Sequence, residues 1–207
     1  MEFTDIAMEL SKEAWQASFQ HPFVLQLQEG TLEPSIFRYY LIQDAYYLKS
    51  FSEAYHLLAD KTSNEEMKRL LKQNAQSLVE GELFIRQQFF KELGISDQEM
   101  EQHPIAPTCY HYISHIYRQF AEPNLGIAFA SLLPCPWLYH DLGKALNRKP
   151  SPNPLYQRWI ETYITDELEQ QIKEEEALVN QLYRESDETD KQKMLEAFHR
   201  SVHMEAK

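Results

Sequence analysis

Glycine is scarce here, with five residues in 207. Tight hairpins and phosphate-cradling loops need backbone freedom that this supply does not give, and no Gly-x-Gly-x-x-Gly or Walker-type sequence is present. Cysteine is scarcer still, with only Cys109 and Cys135. Neither belongs to a Cys-x-x-Cys pair, which argues against a zinc ribbon and against a dithiol redox centre. The opening stretch MEFTDIAMEL lacks the basic, apolar and small-residue blocks of an export signal. A structural disulfide is therefore not expected, and each thiol reads first as a small buried hydrophobe. No apolar run approaches the roughly 20 residues that a membrane span needs. Positive charge is outnumbered, 20 Lys and Arg against 32 Asp and Glu, for a formal net charge of -12. Such a surface repels phosphate backbones and anionic lipid, so neither nucleic acid nor membrane is expected as a partner, and a cytoplasmic location follows.

What is present is helical. The chain is 43% hydrophobic and 13% aromatic, enough at this length for one domain with a large core. Apolar periodicity predicts helices over about 4–19, then a short one ending at Gly30, then about 34–60 starting at Pro34. A fourth helix is predicted from a Ser63/Glu66 capping box to Gly94, followed by a short turn of helix from Ser96 and a helix over about 107–120. The segment 124–147 is apolar on nearly every side and reads as the central buried helix. After a stiff connection at Pro150, Pro152 and Pro154, two long helices are predicted over about 154–184 and 187–206. No repeat or domain linker is evident. The expectation is an all-α helical bundle forming a single domain over 1–207.

Each residue turns a helix by about 100 degrees, so the polar groups that share a face with the core can be picked out. In the third helix Tyr40, Leu41, Leu48, Phe51, Tyr55 and Leu58 form a stripe; Asp44 lies in its middle and Tyr47 on its edge. A carboxylate there faces the interior and is either satisfied by backbone and hydroxyl donors or part of a site. Glu205 continues the stripe of Leu195, Phe198 and Val202, although a frayed, solvated terminus two residues from the end is the simpler explanation of it taken alone. Cys135 stands between Pro134 and Pro136. Both prolines lack the N–H that a helix needs, so the carbonyls of Ala130 and Leu132 lose their usual partners, and the thiol sits at a break or in a kinked core helix. Tyr139 follows one turn later. Tyr112 shares a face with Cys109, Ile116 and Phe120, and Tyr163 with Leu155, Tyr156 and Trp159; either tyrosine is explained by packing alone. Taken together, two inward carboxylates, a thiol at a helix break and several inward phenols suit a pocket for a flat, polar heteroaromatic ring. Rings stack on it, a carboxylate and hydroxyls read its edge, the thiol serves as nucleophile and the second carboxylate as acid.

A di-iron bundle would need Glu-x-x-His on two helices, and Glu53-x-x-His56 and Glu196-x-x-His199 are present. Glu53 and Glu196, however, point away from the core stripes of their helices. The i,i+4 pairs His111/His115 and His199/His203 lack an evident third ligand. No metal and no organic cofactor is expected.

Five segments in order are then recognisable: His21-Pro22-Phe23-Val24; Phe37-Arg38-Tyr39-Tyr40-Leu41-Ile42-Gln43-Asp44-Ala45-Tyr46-Tyr47-Leu48; Tyr110-His111-Tyr112-Ile113-Ser114-His115-Ile116-Tyr117; Leu133-Pro134-Cys135-Pro136-Trp137-Leu138-Tyr139; and Tyr156-Gln157-Arg158-Trp159-Ile160-Glu161-Thr162-Tyr163. Over almost the whole chain the sequence resembles the thiaminase II (TenA) family, and the fourth segment is the most specific. The resemblance implies a haem oxygenase-like helical fold. It also implies an aminopyrimidine aminohydrolase of thiamine salvage, which releases hydroxymethylpyrimidine from aminomethyl-pyrimidine degradation products or from thiamine itself. Carried over by position, Cys135 is the nucleophile and Glu205 the acid. Asp44, Tyr112, Tyr139 and Tyr163 bind the substrate, and Tyr47 supports Glu205 and the thiol. The substrate is a small pyrimidine, no metal or cofactor is used, and a homotetramer is implied. A family branch lacks the nucleophile; Cys135 places this sequence on the branch that has it. The family's last helix continues past its glutamate with aromatic residues, whereas here the sequence stops at Lys207, which reads as a truncation. The alternatives are a non-catalytic pyrimidine-binding or regulatory protein and a metal-dependent oxidase on the same fold.

Overall fold

The computed structural model describes residues 1–206; the expected truncation of the last helix at Lys207 lies outside the described residues. These residues form α-helices, one π-helical turn and connecting loops, with no strand among them. None of the helices is long and apolar enough to cross a membrane. The chain divides into two compact units, one comprising Met1–Leu32 together with the chain from Arg118 on, the other Glu33–Tyr117.

The second unit is built on α3 (Pro34–Lys61), against which α4 (Glu65–Leu78) and α5 (Phe84–Leu93) pack. Pro34 opens α3 at the position where its missing N–H costs nothing. α3 buries Leu41, Leu48, Phe51, Tyr55 and Leu58 of the predicted stripe together with Phe37, whereas Tyr40 is only half-buried, and Glu53 and His56 are exposed. The expected Ser63/Glu66 capping box is replaced by Asn64, whose side chain accepts the Met67 N–H at 2.9 Å. Nor is 63–94 one regular helix: a π-turn at Val79–Leu83 separates α4 from α5, and Gly94 ends α5 in the left-handed conformation. The short α6 (Asp97–Gln102) starts at Ser96, which accepts the Glu99 N–H as expected. The side chain of Gln43 then clamps the following loop to α3, donating to the Pro104 carbonyl and accepting the Ala106 N–H at 2.7 Å. This fixes the start of α7 (Pro107–Gln119), whose Tyr117 hydroxyl donates to the Ser50 carbonyl.

In the first unit α1 (Phe3–Phe19) and α2 (Pro22–Glu29) precede α8 (Leu125–Leu132), α9 (Pro134–Leu146), α10 (Pro154–Glu161), α11 (Asp166–Glu185) and α12 (Glu188–Glu205). α8 is buried from Gly126 to Leu132, as its all-round apolar sequence predicts. The predicted 124–147 helix breaks at Leu133, before the prolines. The predicted 154–184 helix breaks as well, because Thr165 caps α11 by accepting the Leu168 N–H at 3.2 Å. α12 packs on α8, α1 and α9, with Phe198 fully buried against Trp15 and Trp137. Gly30 ends α2 at φ 73°, and a Cβ there would sit 2.8 Å from Pro152. Only glycine meets both demands.

Candidate functional site

The predicted site residues divide between the two units, which are described in turn. In the second unit Asp44 and Tyr47 lie one turn apart on the buried face of α3, and Tyr112 is buried on α7. The Tyr47 and Tyr112 rings pack with centroids 5.1 Å apart, and Tyr47 also stacks on Phe51 at 5.4 Å. The helical phase had placed all three residues on interior faces, and they are there.

Asp44 has a partner that sequence reasoning missed. Arg86 of α5 directs its Nε at Asp44 Oδ2, while its terminal nitrogen Nη2 lies 3.8 Å from Glu82. The Arg86 side chain is only 2% exposed and that of Asp44 8%. A guanidinium and a carboxylate so deeply buried are tolerable only together, since either alone would carry an uncompensated charge. The π-turn explains why the pattern hid this. The stripe of Met67, Leu70, Leu71, Ala75 and Leu78 would run on through positions 82 and 85 in a continuous α-helix. A π-turn inserts one residue, about 100 degrees of rotation, and the buried positions of α5 become Arg86 and Phe89. Charge from Asp44 also reaches α7. The Cys109 thiol is pushed up to about 11, first by burial and then by Asp44, and its Sγ lies 3.6 Å from the Gln43 carbonyl.

In the first unit Cys135 occupies the second position of α9, between Pro134 and Pro136, and is buried. Neither cysteine forms a disulfide. Leu133 keeps helical dihedrals, so the break is local, and Trp137 N–H reaches only the Leu133 carbonyl, at 3.5 Å. The carbonyl of Ser131 at this break accepts the hydroxyl of Ser201 on α12 at 2.8 Å. Further pairings give the direction of α12. Asn124 donates to Asp190 at 2.9 Å, and a Cβ on Gly126 would lie 3.4 Å from Met194. Positions 124, 126 and 131 thus meet 190, 194 and 201, so the numbers rise together and α12 runs parallel to α8. One turn further on each chain stand Cys135 and Glu205, the latter half-buried at the last residue of α12. The fully buried Ser201 was also overlooked; its spacing of three from Phe198 and four from Glu205 is the signal that places it on the core stripe.

Tyr139, one turn past Cys135, packs against Tyr163 with centroids 5.0 Å apart, and Trp159 closes the cluster at 5.0 Å from Tyr163 and 6.2 Å from Tyr139. Tyr163 lies just beyond α10 rather than within it. Its backbone is held from α9, because buried His140 donates Nδ1–H to the Tyr163 carbonyl at 2.7 Å. A Cβ on Gly143 would come within 3.0 Å of the Tyr163 Cβ, so glycine there permits the close approach of this turn to α9.

Among the described residues no group of three or more His, Cys, Asp or Glu is arranged to hold a metal ion. The His199 and His203 Nε2 atoms do approach to 3.1 Å, with His199 Nδ1 on Ser11. Glu196 is exposed.

Comparison with known proteins places these features. The family model TENA/THI-4/PQQC matches residues 10–207. An aminopyrimidine aminohydrolase of Bacillus subtilis (strain 168) is 35% identical over 198 residues, which are 96% of this chain and 84% of that protein. Among solved structures, a TenA homologue from P. horikoshii OT3 superposes with a TM-score of 0.89 at 22% identity, covering 100% of this chain and 95% of that one. A protein described as a TenA family transcription regulator, from Silicibacter sp. TM1040, gives 0.88 at 25% identity, covering 99% and 92%. The fold is that of the TenA homologues, as expected, and the chain belongs to the TENA/THI-4/PQQC family.

Proposed function

We propose that the protein is an aminopyrimidine aminohydrolase of the thiaminase II type, cleaving aminomethyl-pyrimidine products of thiamine breakdown, or thiamine, to hydroxymethylpyrimidine. The observation that supports this reading is the parallel register of α12 on α8, whose Ser201–Ser131 hydrogen bond lies four residues before Glu205 on one chain segment and four before Cys135 on the other. A nucleophile and an acid brought close together are what the reaction requires.

In the proposed sequence the Cys135 sulfur adds to the pyrimidine ring, and the displaced electron pair moves into the ring. Asp44 accepts hydrogen bonds from the amino group and protonated ring nitrogen, which favours that addition. Glu205 gives its proton to the leaving amine or thiazole as the bond to the methylene carbon breaks. Water then adds at the methylene, and the sulfur leaves as thiolate, restoring the aromatic ring. Tyr47 supports Glu205 and the thiol. Tyr112 and Tyr163 hydrogen-bond within the site, and Tyr139 lines the face of the ring. Residues 1–207 act as one catalytic domain, without a metal or organic cofactor, as a cytoplasmic homotetramer.

The description of the Silicibacter relative favours a second reading, a regulatory protein that keeps the pyrimidine site without turnover. One experiment separates the two. Purified protein is incubated with the aminomethyl-pyrimidine and with thiamine, and hydroxymethylpyrimidine is measured. Hydrolysis of either that is abolished in Cys135→Ser supports the hydrolase; binding without turnover supports the regulator.

A further inference from the structure

The buried ion pair on α3 and α5 has a consequence for recognition. A carboxylate has two oxygens, and Arg86 engages one of them, Oδ2 of Asp44, through its Nε. The guanidinium is itself held from behind by Glu82, one turn earlier on the π-turn, at 3.8 Å from Nη2. Its burial leaves the side chain a single place to be, and its planar fork fixes the direction of the bond to Asp44. A lysine would supply the charge without that direction.

We propose that Arg86 is a positioning residue for Asp44: it occupies Oδ2 and holds the carboxylate so that Oδ1 accepts from the exocyclic amino group of the aminopyrimidine. The inference rests on the functional reading above and extends it to specificity. One oxygen held at a fixed angle discriminates between a ring that presents an amino hydrogen and one that does not. A carboxylate free to rotate accepts from whatever donor is nearest, and the discrimination falls. The π-turn belongs to this device, because it carries Arg86 round to the buried face. In this role Arg86 acts through Asp44.

The test compares two ligands, hydroxymethylpyrimidine and the same pyrimidine lacking the exocyclic amino group, by calorimetric titration of the full chain. Wild type is expected to prefer the amino compound. In Arg86→Lys the affinity for the amino compound falls by about tenfold, the worth of one hydrogen bond to a charged group, while the des-amino ring, which keeps only its ring-nitrogen bond to Asp44, loses severalfold less. A residue that serves only the fold would lower both affinities together, or lower the melting temperature alone, and either result overturns the inference. Should Arg86→Lys fail to fold, Glu82→Gln decides, since Glu82 is more exposed and its loss only loosens the guanidinium. A smaller fall in the ratio of the two affinities is expected there, and an unchanged ratio overturns the inference. Wild type that binds neither ring overturns the functional reading as well, whereas wild type that discriminates beside variants that do so equally overturns this inference alone.

Discussion

The two thiols of this chain lie in opposite settings. Cys109 stands in the first turn of α7 beside the Gln43 carbonyl, and burial together with the negative Asp44 pushes its thiol up to about 11. Cys135 stands at an interruption between two buried helices, flanked by prolines and four residues beyond the Ser131 carbonyl that α12 engages through Ser201. One neighbourhood keeps sulfur protonated; the other is a local gap in helical hydrogen bonding at the start of α9. The thiolate is the nucleophilic form, so on the proposed reading the surroundings, not the residue type, would separate an inert Cys109 from a reactive Cys135.

Substitutions sharpen that contrast, and the largest effect is expected at the break. Cys135→Ser should lower kcat by about a thousandfold or more, read as hydroxymethylpyrimidine released, because a neutral hydroxyl cannot replace the nucleophile. Glu205→Gln should lower kcat by about a hundredfold to ten-thousandfold, the range for loss of a general acid. The loss should shrink for substrates whose leaving group needs no proton. Asp44→Asn should raise KM by about tenfold to a hundredfold. It also removes the nearer of the two carboxylates that flank buried Arg86, a cost of up to about 3–5 kcal/mol that thermal or urea denaturation would register.

A smaller effect is expected at Ser201. Its hydroxyl stitches α12 to the Ser131 carbonyl one turn before Glu205. Ser201→Ala should cost about 1 kcal/mol of stability. If the stitch also sets the position of Glu205, kcat falls several-fold while KM holds. The smallest effect belongs to the other thiol: Cys109→Ser should leave kcat within about twofold of wild type. A large loss there would break the comparison between the two sulfurs.

How much of this was legible beforehand depended on the regularity of each helix. On α3 the 3.6-residue period runs unbroken for 28 residues, so Asp44 and Tyr47 could be placed on the buried face from phase alone. The Pro-Cys-Pro sequence announced the break in the predicted 124–147 helix, because proline removes donors wherever it occurs. Arg86 could not be read in this way. A π-turn has no strong residue signature, and a one-residue slip in phase moves a charged side chain from an expected flank to the core. Tyr163 was assigned to a continuous helix, but its position is set by contacts distant in sequence, the His140 bond and the approach over Gly143. The cap of α4 lies one residue beyond the predicted Ser63, since Ser63 and Asn64 are both good caps and only the entry angle of the chain selects Asn64.

Alkylation tests the central claim most directly, since it reads both sulfurs in the same molecules. Protein is treated with iodoacetamide at pH 8, where a thiol with a pKa of about 11 is ionised in only about one molecule in a thousand. Residual hydrolysis and labelling of each cysteine are followed by peptide mass spectrometry, with and without hydroxymethylpyrimidine. Activity should fall in proportion to labelling of Cys135, the pyrimidine should slow both, and Cys109 should stay unlabelled while activity disappears. Full activity with Cys135 completely labelled, or activity lost in step with Cys109, would contradict the account.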